Sequence, residues 1–549
     1  MNYSVNTEDK KISFSRWLES SIKIEILNDD ETVIDEITSI VNPGTITKDG
    51  TSYIRYTYNF ETNPTDDKIN ISDRYKLWLN KQAKLYIGLK TPRMDDFKWY
   101  SSGVFVFSEV SNEYSAESNI LSVNCGDRMY QLDGTQNGEL NSLTTIIPAY
   151  EEDENGNPIK YNIIRDAFID TAVQLGNVKK YIIDDIGEYK GTLYNKDYVS
   201  YRESHPEWNQ VPYDLEFSNG DTTCGMLTKM IELYPNYTMY FDKDGVLIAG
   251  MIPSCDDDLV VLENDDLKNI SVTESSSTTL TEVRNVVHVW GQTFEVDWYS
   301  EDVSNSNNTY IVNVDEYGEE YVHGDEIGLL IPTTNASVQY ININGIGNVA
   351  IYDENTDEYL QENTMSENTI YVFKIRKRYI DGAITVRAYL EGQWQAHALC
   401  VLVDGSVSNE LYTCSDGTTT EKYSKKYFQD KYNVETVKLK VIPDSPYTVQ
   451  KIGERLKSNS GEEFENITSD SLALARAEYE LFVKARLTDS ITISLGKLLP
   501  WLEPNSKVSY IKRNDTELKE YIIKKVTLNL TDGSTSIEMY TFYSLYEEE

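Results

Sequence analysis

Positive charge is scarce in this sequence of 549 residues, which has 50 Lys and Arg against 90 Asp and Glu and a formal net charge of −40. Proteins that bind nucleic acid through its phosphates need clustered Lys and Arg. The composition therefore argues against that class. A strongly negative surface also keeps a protein soluble, and composition alone does not separate solubility from a specific use of the charge.

Cysteine and histidine are also rare. The five cysteines are an odd number without a short metal-ligand spacing, which is typical of reduced thiols in a protein made in a cytoplasm. They are Cys125, Cys224, Cys255, Cys400 and Cys414. The four histidines, also in no ligand spacing, are His205, His288, His323 and His397. His288 lies in an apolar run, where a structural histidine is a simpler interpretation than a catalytic one.

Sequence motifs of catalysis are missing. There is no His-Glu-x-x-His zinc motif, no Gly-x-Ser-x-Gly elbow and no Gly-rich phosphate loop. Acidic clusters such as Asp256–Asp258 occur, but 90 carboxylates do not single out the pair that a glycosidase needs. Asp242–Gly245 resembles part of a calcium loop but lacks the full ligand set, so a hairpin turn explains it better. We predict a protein that is not an enzyme, with no catalytic residue, metal site or cofactor.

Long hydrophobic runs are absent as well. No apolar run approaches the length of a membrane-spanning helix. Residues Met1 to Lys10 lack the basic-then-apolar pattern of a signal peptide. We expect a protein that is neither exported by the general route nor embedded in a bilayer.

Tyrosine is abundant, with 41 residues in a chain of 40% apolar composition. The apolar content is sufficient for folded structure, and the length suggests three or four domains. Tyrosine favours half-buried strand faces and interfaces. Aromatic rings can also stack on sugars, but most of these rings fall at alternating strand positions. Barrel cores and subunit contacts are therefore the simpler interpretation.

Hydrophobic periodicity divides the chain into five parts. Short strands separated by turn signals indicate a small barrel or sandwich near the N-terminus, and helical patterns follow after a charged loop at 151–158. The predicted parts are an N-terminal arm (1–11), a β-barrel domain (12–150), an α+β insertion domain (151–268), a second β-rich domain (269–441) and a C-terminal helix plus β-barrel domain (442–549). We expect the arm to become ordered only on assembly. Ser304–Thr309 is predicted to be an exposed loop.

The C-terminal part contains one helix followed by strands. Ser469 and Asp470 offer N-cap oxygens, and apolar residues then recur at helical spacing. Ile491–Leu495 alternates as a strand does, and Lys507–Ile511 follows as another. Tyr521–Val526 then turns through an Asp-Gly dipeptide into the last strand, which is the signal of a tight hairpin.

Two sets of motifs carry a resemblance to a known family. One set consists of the helix Leu472–Leu481, then Leu499-Pro500-Trp501-Leu502-Glu503-Pro504-Asn505, strand, hairpin and an aromatic end at Phe542, Tyr543 and Tyr546. The other set consists of Leu77-Trp78, Lys84–Gly88, Gly103–Phe105, Cys125-Gly126-Asp127-Arg128-Met129 and Leu132–Gly134. In this order they resemble tail-hub (baseplate hub) proteins of bacteriophages that infect Gram-positive hosts. The resemblance covers both ends of the chain and is weakest in the middle. It implies a mainly β, multidomain fold with an α+β insertion and tandem tube-like β-barrel domains. In this motif we expect Asp127 to hold a turn or to pair with Arg128.

The two ends of the chain also resemble each other. In each, a strand (Lys84–Ile87; Lys507–Ile511) is followed by a second strand and a returning hairpin. The step from Val110 to Leu121 equals the step from Val526 to Ile537. Eleven residues is also an ordinary hairpin repeat, so chance is a competing explanation. In the resembled family each subunit contributes two barrels, and a trimer presents six to match a six-fold tail tube.

The resemblance implies a structural virion protein. It would form a trimeric ring at the distal end of the tail tube and contact the tail tube or distal-tail protein, the tail spike and other baseplate proteins. DNA would pass without specific binding, which suits an acidic surface. The expected location is the virion tail, after synthesis in the host bacterial cytoplasm. Two alternatives stay open, another tail component such as a distal-tail or baseplate wedge protein, and a carbohydrate-binding or glycoside-active surface protein.

Overall fold

The computed structural model describes residues 7–28, 30–64, 77–79, 81–115, 117–152, 158–183, 210–211, 214–232, 237–251, 260–315, 317–336, 338–353, 357–380, 383–404, 406–407, 412–413, 419–442, 445–461, 464, 467 and 469–541. The helices in this part of the chain are α1 (Thr7–Ser13), α2 (Ile164–Asp170), α3 (Thr223–Glu232), α4 (Asn264–Ile270), α5 (Lys425–Tyr432), α6 (Val449–Ile452) and α7 (Asp470–Lys484). A π-helical turn, Thr171–Leu175, extends α2, and short 3₁₀ turns cover Arg128–Gln131 and Leu280–Glu282.

The strands of the first half are β1 (Glu19–Leu27), β2 (Val33–Ile37), β3 (Ile40–Asp49), β4 (Tyr56–Thr62), β5 (Gln82–Lys90), β6 (Lys98–Tyr114), β7 (Asn119–Asp127), β8 (Thr144–Ile147), β9 (Tyr150–Glu152), β10 (Pro158–Tyr161), β11 (Tyr181–Ile183), β12 (Leu215–Ser218), β13 (Tyr237–Phe241), β14 (Leu247–Met251), β15 (Val260–Leu262) and β16 (Ser271–Thr278).

The strands of the second half are β17 (Val286–Thr293), β18 (Trp298–Ser300), β19 (Val303–Ser306), β20 (Thr309–Val312), β21 (Glu326–Ile331), β22 (Tyr340–Ile343), β23 (Val349–Asp353), β24 (Thr369–Ile380), β25 (Ala383–Gln393), β26 (Gln395–Val403), β27 (Ser406–Val407), β28 (Tyr412–Thr413), β29 (Thr419–Thr420), β30 (Val437–Val441), β31 (Leu456–Asn459), β32 (Asp489–Leu495), β33 (Lys507–Tyr510), β34 (Lys519–Asn529) and β35 (Ser534–Thr541).

A sheet of thirteen strands unites both ends of the chain. Its order is β16-β32-β35-β34-β3-β4-β7-β6-β5-β1-β2, with β33 on β34 and β15 on β33. Apolar residues from both ends, such as Ile24, Phe105, Ile493 and Ile537, are buried in one shared core. The sheet forms a nearly closed barrel, and the predicted fold class, mainly β with barrels and an α+β insertion, is confirmed.

The sheet contains the same five-strand arrangement twice. We call β3-β4-β7-β6-β5 the amino-terminal module and β16-β32-β35-β34-β33 the carboxy-terminal module; every neighbouring pair within each is antiparallel. A one-residue bulge falls at the same place in both hairpins, at Ser108 and at Lys524. Another falls near the start of β3 and of β16. Matching order and matching bulges make the two modules structural repeats.

The pairing corrects the predicted step between the repeats. Val526 pairs with Ile537, as the equal spacing suggested, but Val110 pairs with Val123 and not with Leu121. The hairpin β6–β7 is one residue pair longer beyond the bulge than β34–β35, so an eleven-residue step is not equivalent in the two places. Spacing alone does not detect a longer hairpin.

A second core lies between the insertion and a four-stranded sheet of order β30-β26-β17-β31. Helices α2 and α3 and the sheet β11-β14-β13 contribute one side, and β17, β26 and α7 contribute the other. The residues after 442 therefore take part in two cores, because α7 packs here while β32–β35 join the thirteen-stranded sheet. An eight-stranded sheet of order β18-β21-β24-β25-β23-β22-β20-β19 encloses a third core.

Two local predictions are wrong. Residues 304–308 are exposed but Thr309 is buried, and the stretch belongs to a hairpin, β19–β20, whose turn residues Asn307 and Asn308 have φ angles of 51° and 58°. Asparagine tolerates this left-handed conformation, and two such residues in succession make the tight turn that suits twisted strands. The arm is the second correction, because residues from Thr7 onward form α1 and are docked on the chain.

Candidate functional site

The repeats meet at a line of backbone hydrogen bonds between β3 and β34, which we call the seam. Residues 45–49 pair antiparallel with residues 525–529, from Thr45 opposite Asn529 to Asp49 opposite Lys525. Gly50 N donates to Lys524 O at 2.7 Å and Leu530 N donates to Gly44 O at 3.0 Å, which extends the ladder at both ends. The seam thus joins two segments that are far apart in sequence into one continuous sheet.

A buried ion pair lies behind the seam. The Lys48 side chain is fully buried, and its Nζ donates to Pro500 O at 2.9 Å, Leu502 O at 3.0 Å and Glu503 Oε1 at 2.7 Å. An ammonium group has three donors, so these acceptors satisfy it completely. The other carboxylate oxygen of Glu503 accepts from the Tyr56 hydroxyl at 2.6 Å. A charge this deep is tolerated only with such partners.

The acceptors belong to the loop between β32 and β33, which contains the Leu499–Asn505 motif. Pro500 and Pro504 fix two φ angles of this loop, and Leu499 and Leu502 are buried in the shared core. The loop therefore presents its carbonyls to Lys48 of the other module. The same motif carries the resemblance to the tail-hub family. Its contact, a lysine some 450 residues earlier in the chain, cannot be found from sequence spacing.

Helix α1 fastens the two modules from outside. Asp9 accepts from the Tyr100 hydroxyl at 2.8 Å in the amino-terminal module. Lys10 pairs with Asp266 at 2.8 Å, and Ser13 Oγ accepts from Trp501 Nε1 at 2.9 Å. These contacts reach β6, α4 and the β32–β33 loop, so residues from Thr7 onward are part of the folded chain.

Asp127 holds a turn, as expected from its motif. Its carboxylate accepts from Met129 N at 2.9 Å and from Tyr56 N at 2.9 Å, which ties the end of β7 to the start of β4. Burial raises the pKa of Asp127 to about 7, against the opposing effect of these donors. Arg128 pairs with Glu31 at 2.8 Å and donates to Gly245 O at 3.0 Å, so the expected alternative contact with Asp127 is not the one formed.

Two histidines that are distant in sequence meet on one face of the four-stranded sheet. His288 Nε2 lies 3.2 Å from His397 Nδ1. The Trp290 ring is centred 4.4 Å from both imidazole rings, stacked on His397 and tilted against His288. Burial, and next the neighbouring His397, lowers the pKa of His288 to about 4, and burial lowers the pKa of His397. Strand pairing places Trp290 opposite His397, a register that could not be read from the sequence. The structural interpretation of His288 fits this packing.

The described residues contain no cluster of three His, Cys, Asp or Glu side chains that could hold a metal ion. Cys125, Cys224 and Cys400 are buried free thiols, and burial raises the pKa of Cys224 to about 11. His205, Cys255, Cys414, Asp256–Asp258 and the aromatic end lie outside the described residues. His323 is exposed, and its Nδ1 accepts from Lys377 N.

An open cleft of about 440 Å³ lies beside Arg128. Amides and two cations line it, including Gln131, Gln136 and Lys179, with no nucleophile beside a base. Several tyrosines of the described residues instead lie in cores, and those almost completely buried include Tyr56, Tyr310, Tyr389, Tyr510 and Tyr521. None of the helices in the described ranges is both long and apolar enough to span a bilayer.

Comparison with known families matches one stretch of the chain. Residues 444–546 match the family model described as domain of unknown function DUF5048. This stretch includes α7 and β32–β35, and therefore the carboxy-terminal side of the seam. No curated protein matches the sequence.

Three solved structures resemble the whole chain. A tail protein from Neisseria meningitidis MC58 matches with a TM-score of 0.41 and 8% identity, over 96% of this chain and 98% of that one. A prophage tail protein from Listeria monocytogenes EGD-e matches with a TM-score of 0.41 and 8% identity, over 94% of each chain. The 43 kDa tail protein of a Shewanella oneidensis prophage matches with a TM-score of 0.39 and 9% identity, over 94% of this chain and 98% of that one. Similarity at this level does not define function.

Proposed function

We propose that the chain is a structural component of a phage tail, the baseplate hub at the distal end of the tail tube. The observation that carries the proposal is the seam, because each chain presents two repeated β modules side by side in one sheet. Three chains would supply six such modules, which suits the six-fold symmetry of a tail tube. The sequence motifs at both ends of the chain support the same family.

The hub's work in this proposal is mechanical, and no residue is assigned a catalytic step. The ring of modules would continue the tube, contacting the tail tube or distal-tail protein. The middle sheets and the insertion, which branch from the ring modules between β7 and β15 and between β16 and β32, would bind the tail spike and other baseplate proteins. The protein would be made in the host cytoplasm and act in the virion.

DNA would pass through the ring without binding. A formal charge of −40 per chain repels phosphate, and at physiological ionic strength the repulsion extends roughly 8 Å, enough to influence a narrow channel. A ring whose lumen is lined with Lys and Arg, with the carboxylates outside, would remove this part of the proposal and leave the hub assignment intact.

Electron microscopy of the purified full chain, together with its mass in solution, tests the proposal. We expect annular particles of three chains with six similar lobes. Six chains per ring would indicate a distal-tail component instead. Particles that are never annular would contradict a hub, and hydrolysis of a glycan by the pure chain would contradict a purely structural role.

A further inference from the structure

The seam is formed by one strand edge from each module. Because the two modules are structural repeats, each edge is expected to occur once more in the chain. On β34, the partner strand β33 covers only Lys519–Ile522, which leaves residues 525–529 free on that edge. On β3, one edge pairs with β4 and the other edge is available. The free end of β34 and the free edge of β3 then pair with each other.

Each of these two surfaces has an equivalent in the opposite module. Both equivalents are unpaired among the described residues. In the amino-terminal module, β5 covers β6 only as far as Val106, and residues 109–114 pair with β7 alone. In the carboxy-terminal module, β16 pairs with β32 alone. Ser111, Asn112 and Glu113 are exposed, as is the whole stretch 275–278 of β16. Each chain therefore has two unpaired strand edges, the end of β6 and the outer edge of β16, which are equivalent to the two edges that form the seam.

We propose that β16 of one copy pairs antiparallel with the end of β6 of a second copy, in a second seam that repeats the first. This deepens the proposed hub function and rests on it. The bulges at Ser108 and Lys524 make Val110 the repeat equivalent of Val526. The pairing of β4 and of β32 with their neighbouring strands then makes Ser277 the equivalent of Thr47. Because Thr47 pairs with Thr527, Ser277 is placed opposite Ser111 of the second copy.

The chemistry of both edges suits this partner. Exposed edge strands are commonly protected by Lys, Pro or a covering segment. The sequence of β16, Ser-Val-Thr-Glu-Ser-Ser-Ser-Thr, contains neither Lys nor Pro. In the transferred register Glu113 lies opposite Ser275 and Glu274 lies opposite Tyr114, so no two carboxylates face each other directly. Glu274 is already engaged within its own chain by the Tyr510 hydroxyl.

The two unpaired edges are different surfaces, so the contact is head-to-tail. Such contacts generate a ring when the rotation between copies closes, and a filament when it does not. Within one chain the seam already fixes how one module lies beside the next in the sheet. Repeating the same arrangement between copies places all modules in one continuous sheet.

Cysteine cross-linking between separately made chains tests the pairing. Full-length Ser111→Cys and a size-tagged full-length Ser277→Cys are mixed and mildly oxidised, so a mixed dimer can only be intermolecular. Asn112→Cys with Ser277→Cys is the matched control, because neighbouring strand residues point to opposite faces of a sheet. Wild type and each single variant alone measure the background from native cysteines. All three substitutions are exposed, so folding is expected to be retained.

We expect the mixed dimer of the Ser111 and Ser277 variants to exceed the Asn112 control by about tenfold, because a one-residue slip reverses the side-chain faces. Annular trimers without this cross-link would overturn the strand pairing and leave the hub proposal standing. The cross-link in open filaments would support the pairing and count against a closed hub. A chain that stays monomeric at every concentration, without cross-link, would overturn both.

Discussion

Gly44 shows how one side chain would disturb the seam. Its φ is +68°, and a Cβ at this position would lie 1.9 Å from the carbonyl oxygen of Asn59. Gly533 has nearly the same conformation, φ +71°, but no atom within 4 Å of a Cβ. The two glycines therefore share a left-handed backbone conformation and differ in the room that is available for a Cβ atom.

We expect Gly44→Ala to destabilise the protein by about 3 kcal/mol or more, since strain and a backbone clash add, and Gly533→Ala by only about 1 kcal/mol. Thermal denaturation followed by circular dichroism, with hydrogen exchange of peptides from β3, measures both. Equal losses in the two variants would show that Asn59 moves aside.

Lys48 gives a second prediction at this scale. Lys48→Met leaves Glu503 buried without its cation and is expected to cost about 3–5 kcal/mol. The double variant Lys48→Met, Glu503→Leu should recover part of this loss, because the uncompensated charge is removed. Lys524→Met is the control, since both side chains of its pair with Glu538 are partly exposed and the pair is worth at most about 1 kcal/mol.

Denaturant midpoints and hydrogen exchange across β3 and β34 report these differences. Faster exchange in Lys48→Met that is confined to the seam is the expected result. Equal sensitivity of Lys48→Met and Lys524→Met would show that the buried pair does not hold the modules together.

Single residues were predictable from the sequence where their partners are close in sequence. The turn role of Asp127 follows from a local motif, and its carboxylate indeed bonds Met129 two residues later. The contact between Lys48 and Glu503 joins opposite ends of the chain, and neither residue has a local pattern that announces it. Long-range polar contacts of this kind depend on the strand register, which the sequence does not state.

At the scale of elements, the histidine pair on β17 and β26 makes stability depend on pH. Both imidazoles have lowered pKa values in the folded protein, His288 to about 4, so they stay neutral there while an unfolded histidine, with a pKa near 6.5, binds a proton. The unfolded state then binds more protons below about pH 6.5. Stability from this pair is complete above that pH and is lost as pH falls toward 4.

Urea denaturation between pH 4.5 and 7.5 checks this. The free energy of unfolding should fall on acidification, and His288→Gln should reduce the fall by about 1–2 kcal/mol at pH 4.5, a value discounted for partial solvent exposure. His323→Gln is the control, because His323 is exposed. Identical pH profiles for His288→Gln and wild type would contradict the assignment.

Helices and hairpins with a local signal were predicted well. Ser469 is the N-cap of α7 and accepts from Leu472 N, and the Asp244-Gly245 turn joins β13 to β14. The β19–β20 hairpin was missed because two asparagines in a polar run look like a loop until their φ angles are known. The packing of α7 on β17 and β26 was not predictable, because an apolar helix face does not identify the strands against which it packs.

At the scale of the whole molecule, assembly should strengthen with salt. In the proposed trimer, three chains that each carry a formal charge of −40 repel one another, and salt shortens the range of repulsion from about 30 Å at 0.01 M to about 8 Å at 0.15 M. Sedimentation equilibrium in low and high sodium chloride measures the association constant. Weaker association at high salt would show that intermolecular ion pairs outweigh the net charge.

The sequence pattern anticipated the repeat but not how its two copies join. Similar strand spacing at the two ends suggests duplicated barrels, with chance as the competing explanation, and the structure contains the same strand order twice within one thirteen-stranded sheet that has one shared core. The seam itself arises because β34 is longer than β33 and leaves an edge for β3. The length of an unpaired strand edge is a property of the folded sheet. Residue spacing along the chain is compatible with the pairing of β3 and β34 but does not predict it.

The partner of β3 is translated about 480 residues after it. At elongation rates of roughly 5–20 residues per second, the nascent β3 waits on the order of 25–100 s before β34 leaves the ribosome. During that interval the lysine at position 48 has neither its carboxylate nor its carbonyls, so the early strands cannot settle into their final arrangement. Synthesis order thus makes the β34–β35 hairpin the step that completes the sheet around β3, and ribosomes stalled before this hairpin should carry an amino-terminal module that proteases cut readily.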